Sequence, residues 1–197
     1  MNVIHNLVCS SGWWSRRVEN ELVPWALDGI DLGEEVLEIG PGFGATTRLL
    51  ADRGLKLTAL ELERRYCERL REELGAKASV VQGDATELPF EDSRFSSVLC
   101  FTMLHHIPSR QLQDRTFAEV ARVLEPGGTF AGTDSVGTGP LFKLIHVGDT
   151  LNLLDPDELP ERLSNSGLAD AVVERSGRSI RFRAAKPAGE PPGASSR

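Results

Sequence analysis

A branched-apolar tetrapeptide, Val36-Leu37-Glu38-Ile39, runs straight into Gly40-Pro41-Gly42-Phe43-Gly44 and from there into a helical pattern over Thr46 to Asp52. Three alternate glycines between a buried strand and a helix open backbone conformations that side chains forbid, and they let ligand atoms approach the main chain. A strand, a tight glycine turn and a helix in that order form the opening unit of an open α/β sheet.

The alternation continues along the chain. Leu55 to Leu62 and Ala78 to Val81 read as buried strands, with a helix from Arg64 to Leu74 between them, closed by Gly75. Phe95 to Phe101 predicts a fourth strand. Ser109 to Leu124 predicts a helix with Leu112, Thr116, Val120 and Val123 on one face, and Thr129 to Asp134 a fifth strand. Short connections between such elements force parallel pairing through right-handed crossovers, with helices on both faces of the sheet. Further on, Asp155-Pro156-Asp157-Glu158 reads as a helix start with an Asp cap and Pro at the first helical position. Gly167 closes that helix, and Pro160 costs it a bond one turn in. Ala171 to Glu174 and Ser179 to Ala184 flank Ser176-Gly177 and predict an antiparallel hairpin. Lys186 to Arg197, rich in Pro, Gly and Ser, is expected to be mobile.

With 197 residues, 40% of them hydrophobic, the chain has material for one core. Its 22 Lys and Arg against 29 Asp and Glu give a net charge of −7, which repels phosphate backbones and argues against nucleic acid as substrate or partner. No apolar run approaches the ~20 residues that cross a bilayer, so no membrane role is expected. Arg16-Arg17 is followed by Glu19, Glu21 and Asp28 rather than an apolar stretch, so export is not expected either. Cys9, Cys67 and Cys100 are odd in number and lack metal spacing, which suits a reduced cytoplasm and suggests no metal site. Cys67 and Cys100 read as packing residues. The remaining class of partner is a small molecule.

Two carboxylates sharpen the glycine loop. Glu61 ends the second strand, 23 residues beyond Glu38, where it can accept hydrogen bonds from the vicinal hydroxyls of a ribose. Asp84, in Gln82-Gly83-Asp84-Ala85, ends the third strand and can accept from the exocyclic amine of adenine. Gly40, Gly42 and Ala45 also satisfy a dinucleotide GxGxxA reading, and an NAD(P)-dependent oxidoreductase is one alternative. Glu38 weighs against it, because a carboxylate beside a pyrophosphate loop opposes the negative ligand that such a loop attracts. Tyr66, the only tyrosine, also falls in a helix rather than where a dehydrogenase needs it. A noncatalytic adenosyl-ligand-binding subunit is the other alternative.

Taken in order, VLEIGPGFG at Val36 to Gly44, LELE at Leu60 to Glu63, GDA with LPF at Gly83 to Phe90 and LEPGG at Leu124 to Gly128 resemble the motif series of the class I S-adenosylmethionine-dependent methyltransferases. The resemblance spans roughly Leu32 to Asp134. It implies a Rossmann-like, doubly wound, mostly parallel seven-stranded sheet with a C-terminal antiparallel hairpin, and S-adenosyl-L-methionine as cofactor, released as S-adenosyl-L-homocysteine. Carried over by position, it implies that Gly40, Gly42 and Gly44 shape the loop beside the methionine moiety and that Glu38 faces its amino group. Glu61 would hold the ribose, Leu62 and Ala85 would pack the adenine, and Asp84 would take its amine. Phe101 and Thr102 would line the methionine side. Residues 1–31 are then expected as a helical lid, 32–185 as the methyltransferase domain and 186–197 as a tail. The expected partner is a small-molecule methyl acceptor.

Methyl transfer needs an aligned nucleophile and exclusion of water rather than a metal. If the acceptor is a hydroxyl or an acidic carbon, His105, His106 and Asp134 are the candidate bases, although paired histidines here can equally order the loop. Trp13, Trp14 and Trp25 could cover a planar acceptor. Equally, Val18, Leu22 and Trp25 could pack on the core.

Overall fold

A computed structural model of the chain describes residues 7–137, 139, 148 and 150–189. Its centre is β1 (Glu35–Ile39), flanked in parallel by β2 (Lys56–Glu61) and β4 (Phe95–Phe101), with β3 (Ser79–Gln82) outside β2. β5 (Leu124–Ser135) pairs in parallel with β4, and the hairpin of β6 (Ala169–Ser176) and β7 (Ser179–Ala185) adds two antiparallel strands. The sheet order is β3-β2-β1-β4-β5-β7-β6. The chain winds outward from β1 to β3 and then returns to the other side of β1. The crevice beyond the carboxyl ends of β1 and β4 is therefore the switch point, where such sheets bind ligands.

The central strands β1, β2 and β4 are mostly apolar and buried on both faces, as parallel strands inside a sheet must be. Val98 and Cys100 of β4 face one layer with Leu37, Phe117 and Phe130, while Leu99 and Phe101 face the other with Val36, Leu50 and Leu70. α3 (Ala45–Ala51) and α4 (Arg64–Leu74) cover the second face, and α5 (Arg110–Val123) covers the first. α4 buries Tyr66, Cys67, Leu70 and Leu74, and carries Arg64–Glu68 (2.7 Å) and Arg69–Glu73 (3.9 Å) on its outer face. Ser109 caps α5, its hydroxyl accepting from the Leu112 N–H at 3.2 Å.

Before β1 the chain forms α1 (Gly12–Arg17), a wide π-helical turn (Val18–Leu22) and α2 (Val23–Ala26). The wide turn comes just before Pro24, whose ring cannot continue an ordinary helical ladder. Val18, Leu22 and Val23 are in the core. Trp25 instead is half-buried under the Arg181 guanidinium, 5.6 Å from its ring.

Three expectations are corrected. The late helix, α6 (Leu159–Asn165), starts after Glu158 rather than at Asp155, because the Asp155 carboxylate is used in a local turn, accepting from the Asp157 N–H at 2.9 Å. Pro160 thus falls in the first turn, where its missing N–H costs nothing. β5 begins at Leu124 rather than Thr129, with Glu125 to Gly128 bulging from the ladder beside β4. Lys186, read as part of the tail, is bound: its N–H donates to Gly128 O at 2.9 Å and its ammonium to Leu124 O at 2.7 Å. The rest of that tail from residue 190 lies outside the described residues. In the hairpin, Gly177 has φ 57° and opens a two-residue turn, and β6 breaks register between Ala169 and Val172.

Candidate active site

At the switch point the structure opens into a cavity of about 670 Å³, within the ~300–1,000 Å³ of small-molecule sites. The glycine loop forms one wall. Gly40 has φ 71°, and a Cβ there would lie 2.3 Å from Met103 Cγ, so only glycine lets the loop pass beneath that side chain. Gly42 is in the cavity wall and donates its N–H to Glu61 Oε2 at 2.9 Å. Gly44 is not in the wall. It caps α3 with φ 76°, and a Cβ there would strike Leu70 at 2.5 Å, so its role is packing the loop down.

Glu61 is only 7% exposed, and its Oε1 accepts from the Glu63 N–H at 2.9 Å. The carboxylate thus ties the glycine loop to the turn after β2 while lining the cavity. Leu62, 62% exposed, projects beside it. Asp84 and Ala85 line the same wall. Asp84 Oδ1 accepts from both the N–H and the hydroxyl of Thr86, each at 2.8 Å, which fixes the carboxylate's direction. Phe101 and Thr102 line the cavity at the end of β4. Thr102 has φ 52°, strained for a β-branched residue, and its N–H donates to Thr133 O at 2.7 Å.

Glu38 is placed differently from the expectation that it faces the ligand. It is 1% exposed and absent from the cavity wall; its Oε1 accepts from the Thr46 hydroxyl. Its Oε2 has no hydrogen-bond partner among the described residues. Burial pushes this carboxyl up to about 7, offset in part by the Thr46 and Thr47 hydroxyls and reinforced by Glu61. The reason is strand parity: Glu38 shares the face of Val36, which is covered by α3.

At the far end, His105 and His106 line the cavity in a short helical turn (Leu104–His106). Asp134, expected to open toward the ligand, does not. It is fully buried behind His105, accepting from its Nδ1 at 2.5 Å. Arg17 of α1 and Arg178 of the hairpin turn also line this end, as do Trp13 and Trp14. Neither arginine stands out in the sequence; the only signal was Arg178 at the tip of a two-residue turn. Burial also pushes the Cys100 thiol up, which fits an inert packing residue.

Residues 37–132 match the family model of a methyltransferase domain. A fatty-acid O-methyltransferase of Mycolicibacterium smegmatis is 40% identical over 108 residues, covering 52% of this chain and 38% of that protein. Sterol 4-C-methyltransferase strm-1 of Caenorhabditis elegans is 33% identical over 121 residues, covering 58% of this chain and 35% of that protein. Among solved structures, phosphoethanolamine N-methyltransferase 2 of Haemonchus contortus in complex with S-adenosyl-L-methionine has a TM-score of 0.69 at 18% identity, covering 95% of this chain and 60% of that chain. The match thus takes in well under half the length of the two curated relatives.

Proposed function

We propose that this chain, whose residues 37–132 match a methyltransferase-domain model, is a class I S-adenosylmethionine-dependent methyltransferase that passes the methyl group of S-adenosyl-L-methionine to a small organic acceptor. The observation that carries the proposal is the use made of Gly42. The N–H of the middle loop glycine is committed to a carboxylate, so the loop offers acid where a pyrophosphate site must offer donors. A ligand with a ribose, an ammonium and a sulfonium suits that wall, whereas a dinucleotide does not.

In this reading Glu61 accepts from the ribose hydroxyls, Asp84 from the adenine amine, and Leu62 and Ala85 sandwich the base. Gly40, Gly42, Phe101 and Thr102 form the methionine side. Glu38 and Gly44 act from beneath the loop, one as a buried acid near the ligand's positive charge and the other as the helix cap. When bound, the cofactor supplies an electrophilic methyl and its own leaving group. The protein's task is to hold the acceptor in line and keep water out. Of the lid expected over residues 1–31, residues 1–6 lie outside the described residues; residues 7–31 act as the lid in this reading, with Trp13 and Trp14 lining the cavity, and the catalytic domain is the one expected over residues 32–185. The acceptor is a small molecule rather than nucleic acid, consistent with the acidic balance of the chain.

Titration calorimetry tests the proposal: S-adenosylhomocysteine should bind and NADH should not. The reverse order of affinity would replace the methyltransferase with an oxidoreductase, and tight binding without turnover on any acceptor would favour a binding subunit. Asp84→Ala should weaken S-adenosylhomocysteine roughly tenfold, the size of one lost hydrogen bond to a charged group, since Asp84 braces only its own turn. Equal affinity in the same calorimetric titration would remove Asp84 from the adenine site.

A further inference from the structure

Resting on that reading, we propose that the end of the cavity beyond β5 is an anion subsite built by Arg17 and Arg178, so that the methyl acceptor is a small amphiphilic acid, an apolar body whose carboxylate or phosphate monoester these two residues hold. The charges of the cavity wall are segregated. Among the described residues its carboxylates, Glu61, Glu63 and Asp84, come from the ends of β2 and β3, while its arginines come from α1 and from the turn between β6 and β7. Glu61 ends β2 and Ser179 begins β7, four places along the sheet order, which at ~4.8 Å per strand is on the order of 19 Å. The methionine side of the cofactor, at Gly40, Gly42, Phe101 and Thr102, belongs to the ends of β1 and β4 and so stops short of the arginines. That end is left for a second molecule.

The register of the hairpin builds the subsite. Ser135 pairs with Ser179 at the end of the β5–β7 ladder, so their side chains share a face, and both line the cavity. Arg17 reaches this pair from α1. Its Nη2 donates to Ser179 Oγ at 3.4 Å, and its guanidinium lies 5.9 Å and 5.8 Å from the ring centroids of Trp13 and Trp14. Arg178 precedes Ser179 in the chain, so the two arginines flank one serine.

Neither guanidinium is fully matched. Arg17 Nε is 3.5 Å from Glu21 Oε2, but that carboxylate is 69% exposed and screened by solvent. Arg178 makes no ion pair among the described residues, whereas Arg175 and Arg181 of the same hairpin are matched with Asp157 at 3.2 Å and Glu174 at 2.8 Å. The nearest acid along β5, Asp134, is turned away behind His105. Two cations beside two serine hydroxyls are complementary to one anionic group, which a planar guanidinium fork meets with two parallel N–H···O bonds. The rest of the acceptor follows from the wall that adjoins them. Val18 and Leu22, both buried, line the cavity with Ile107 and Leu112, so the body attached to the anion is apolar. At a net charge of −7 the chain as a whole repels a polyanion, and the subsite suits a single acid.

Calorimetric titration with octanoate, octyl phosphate and octanol tests this on wild type, Arg17→Gln and Arg178→Gln, with and without saturating S-adenosylhomocysteine. At least one of the two anions should bind wild type at a single site and about tenfold or more tighter than octanol, a preference that fades as salt is added. Each variant should lose about tenfold in affinity for that anion and leave octanol unchanged. Octanoate as the tighter probe makes the acceptor a carboxylic acid, and octyl phosphate makes it a phosphate monoester. Octanol as tight as both anions, no binding of either anion, or unaltered anion affinity in either folded variant overturns the proposal. So does a loss confined to S-adenosylhomocysteine, which would give the arginines to the cofactor's own carboxylate. A wild type that holds the anion but not S-adenosylhomocysteine would instead strike the methyltransferase reading and leave the subsite standing. Arg178 is exposed, so Arg178→Gln carries the comparison if Arg17→Gln does not fold.

Discussion

A Glu61→Ala variant is expected to bind S-adenosylhomocysteine about a hundredfold more weakly than wild type, or worse, a larger loss than at any other residue of the cofactor wall. The size follows from the residue's double duty. Its two oxygens hold the N–H groups of Gly42 and Glu63, each at 2.9 Å, and its remaining lone pairs are the ones a ribose would meet. Hydrogen bonds to a charged group contribute ~1.5–3 kcal/mol each, and a hundredfold in affinity is about 2.7 kcal/mol. Alanine therefore removes a ligand contact and unties the loop that shapes the rest of the site. Glu61→Gln, which keeps one acceptor oxygen for Gly42, should fall between the two. Calorimetry on the three proteins checks the order, and an alanine variant as tight as wild type would take the ribose off Glu61.

The second large effect concerns stability rather than affinity. Glu38 takes up its proton at about 7 in the folded protein, against an ordinary 4.5, because it is buried. Between those values the folded chain holds a proton that the unfolded chain has released, so stability falls as pH rises through the window. Fully ionised, the group costs on the order of 3 kcal/mol. Glu38→Gln has no such proton to lose. Its stability relative to wild type should therefore climb by on the order of 3 kcal/mol from pH 5 to pH 8, whatever fixed cost the amide brings. Denaturant unfolding at the two pH values measures this; a difference that stays constant would mean that Glu38 is not titrating there. An acid kept under the ligand loop at such a cost is reasonable where the ligand is a cation.

Much of the fold was legible because local periodicity and burial point the same way. Arg64 to Leu74 and Phe95 to Phe101 agree with α4 and β4 residue for residue. Elements whose ends are set by tertiary contacts were less legible. The π-helical turn at Val18–Leu22 has no period of its own, and the start of α6 depends on Asp155 serving a turn instead of a cap. In the site, residues at strand ends could be read from position alone, and Glu61, Asp84, Ala85, Phe101 and Thr102 do meet in one cavity. Which way a side chain leaves its strand was harder. Glu38 is turned under α3 and Asp134 lies behind His105, and neither follows from motif spacing. Arg17 and Arg178 arrive from segments far apart in the chain, which no window on the sequence joins.

The break in β6 between Ala169 and Val172 has a consequence for how copies of this molecule meet. Open sheets end in rows of unsatisfied N–H and C=O groups that invite another chain to add a strand. Here one margin is the four-residue β3 and the other is β6, kinked at Asp170 with φ 53° and carrying Glu174 and Arg175 outward. Among the described residues neither margin is a long flat template, which disfavours strand-by-strand stacking of copies at the sheet's two edges.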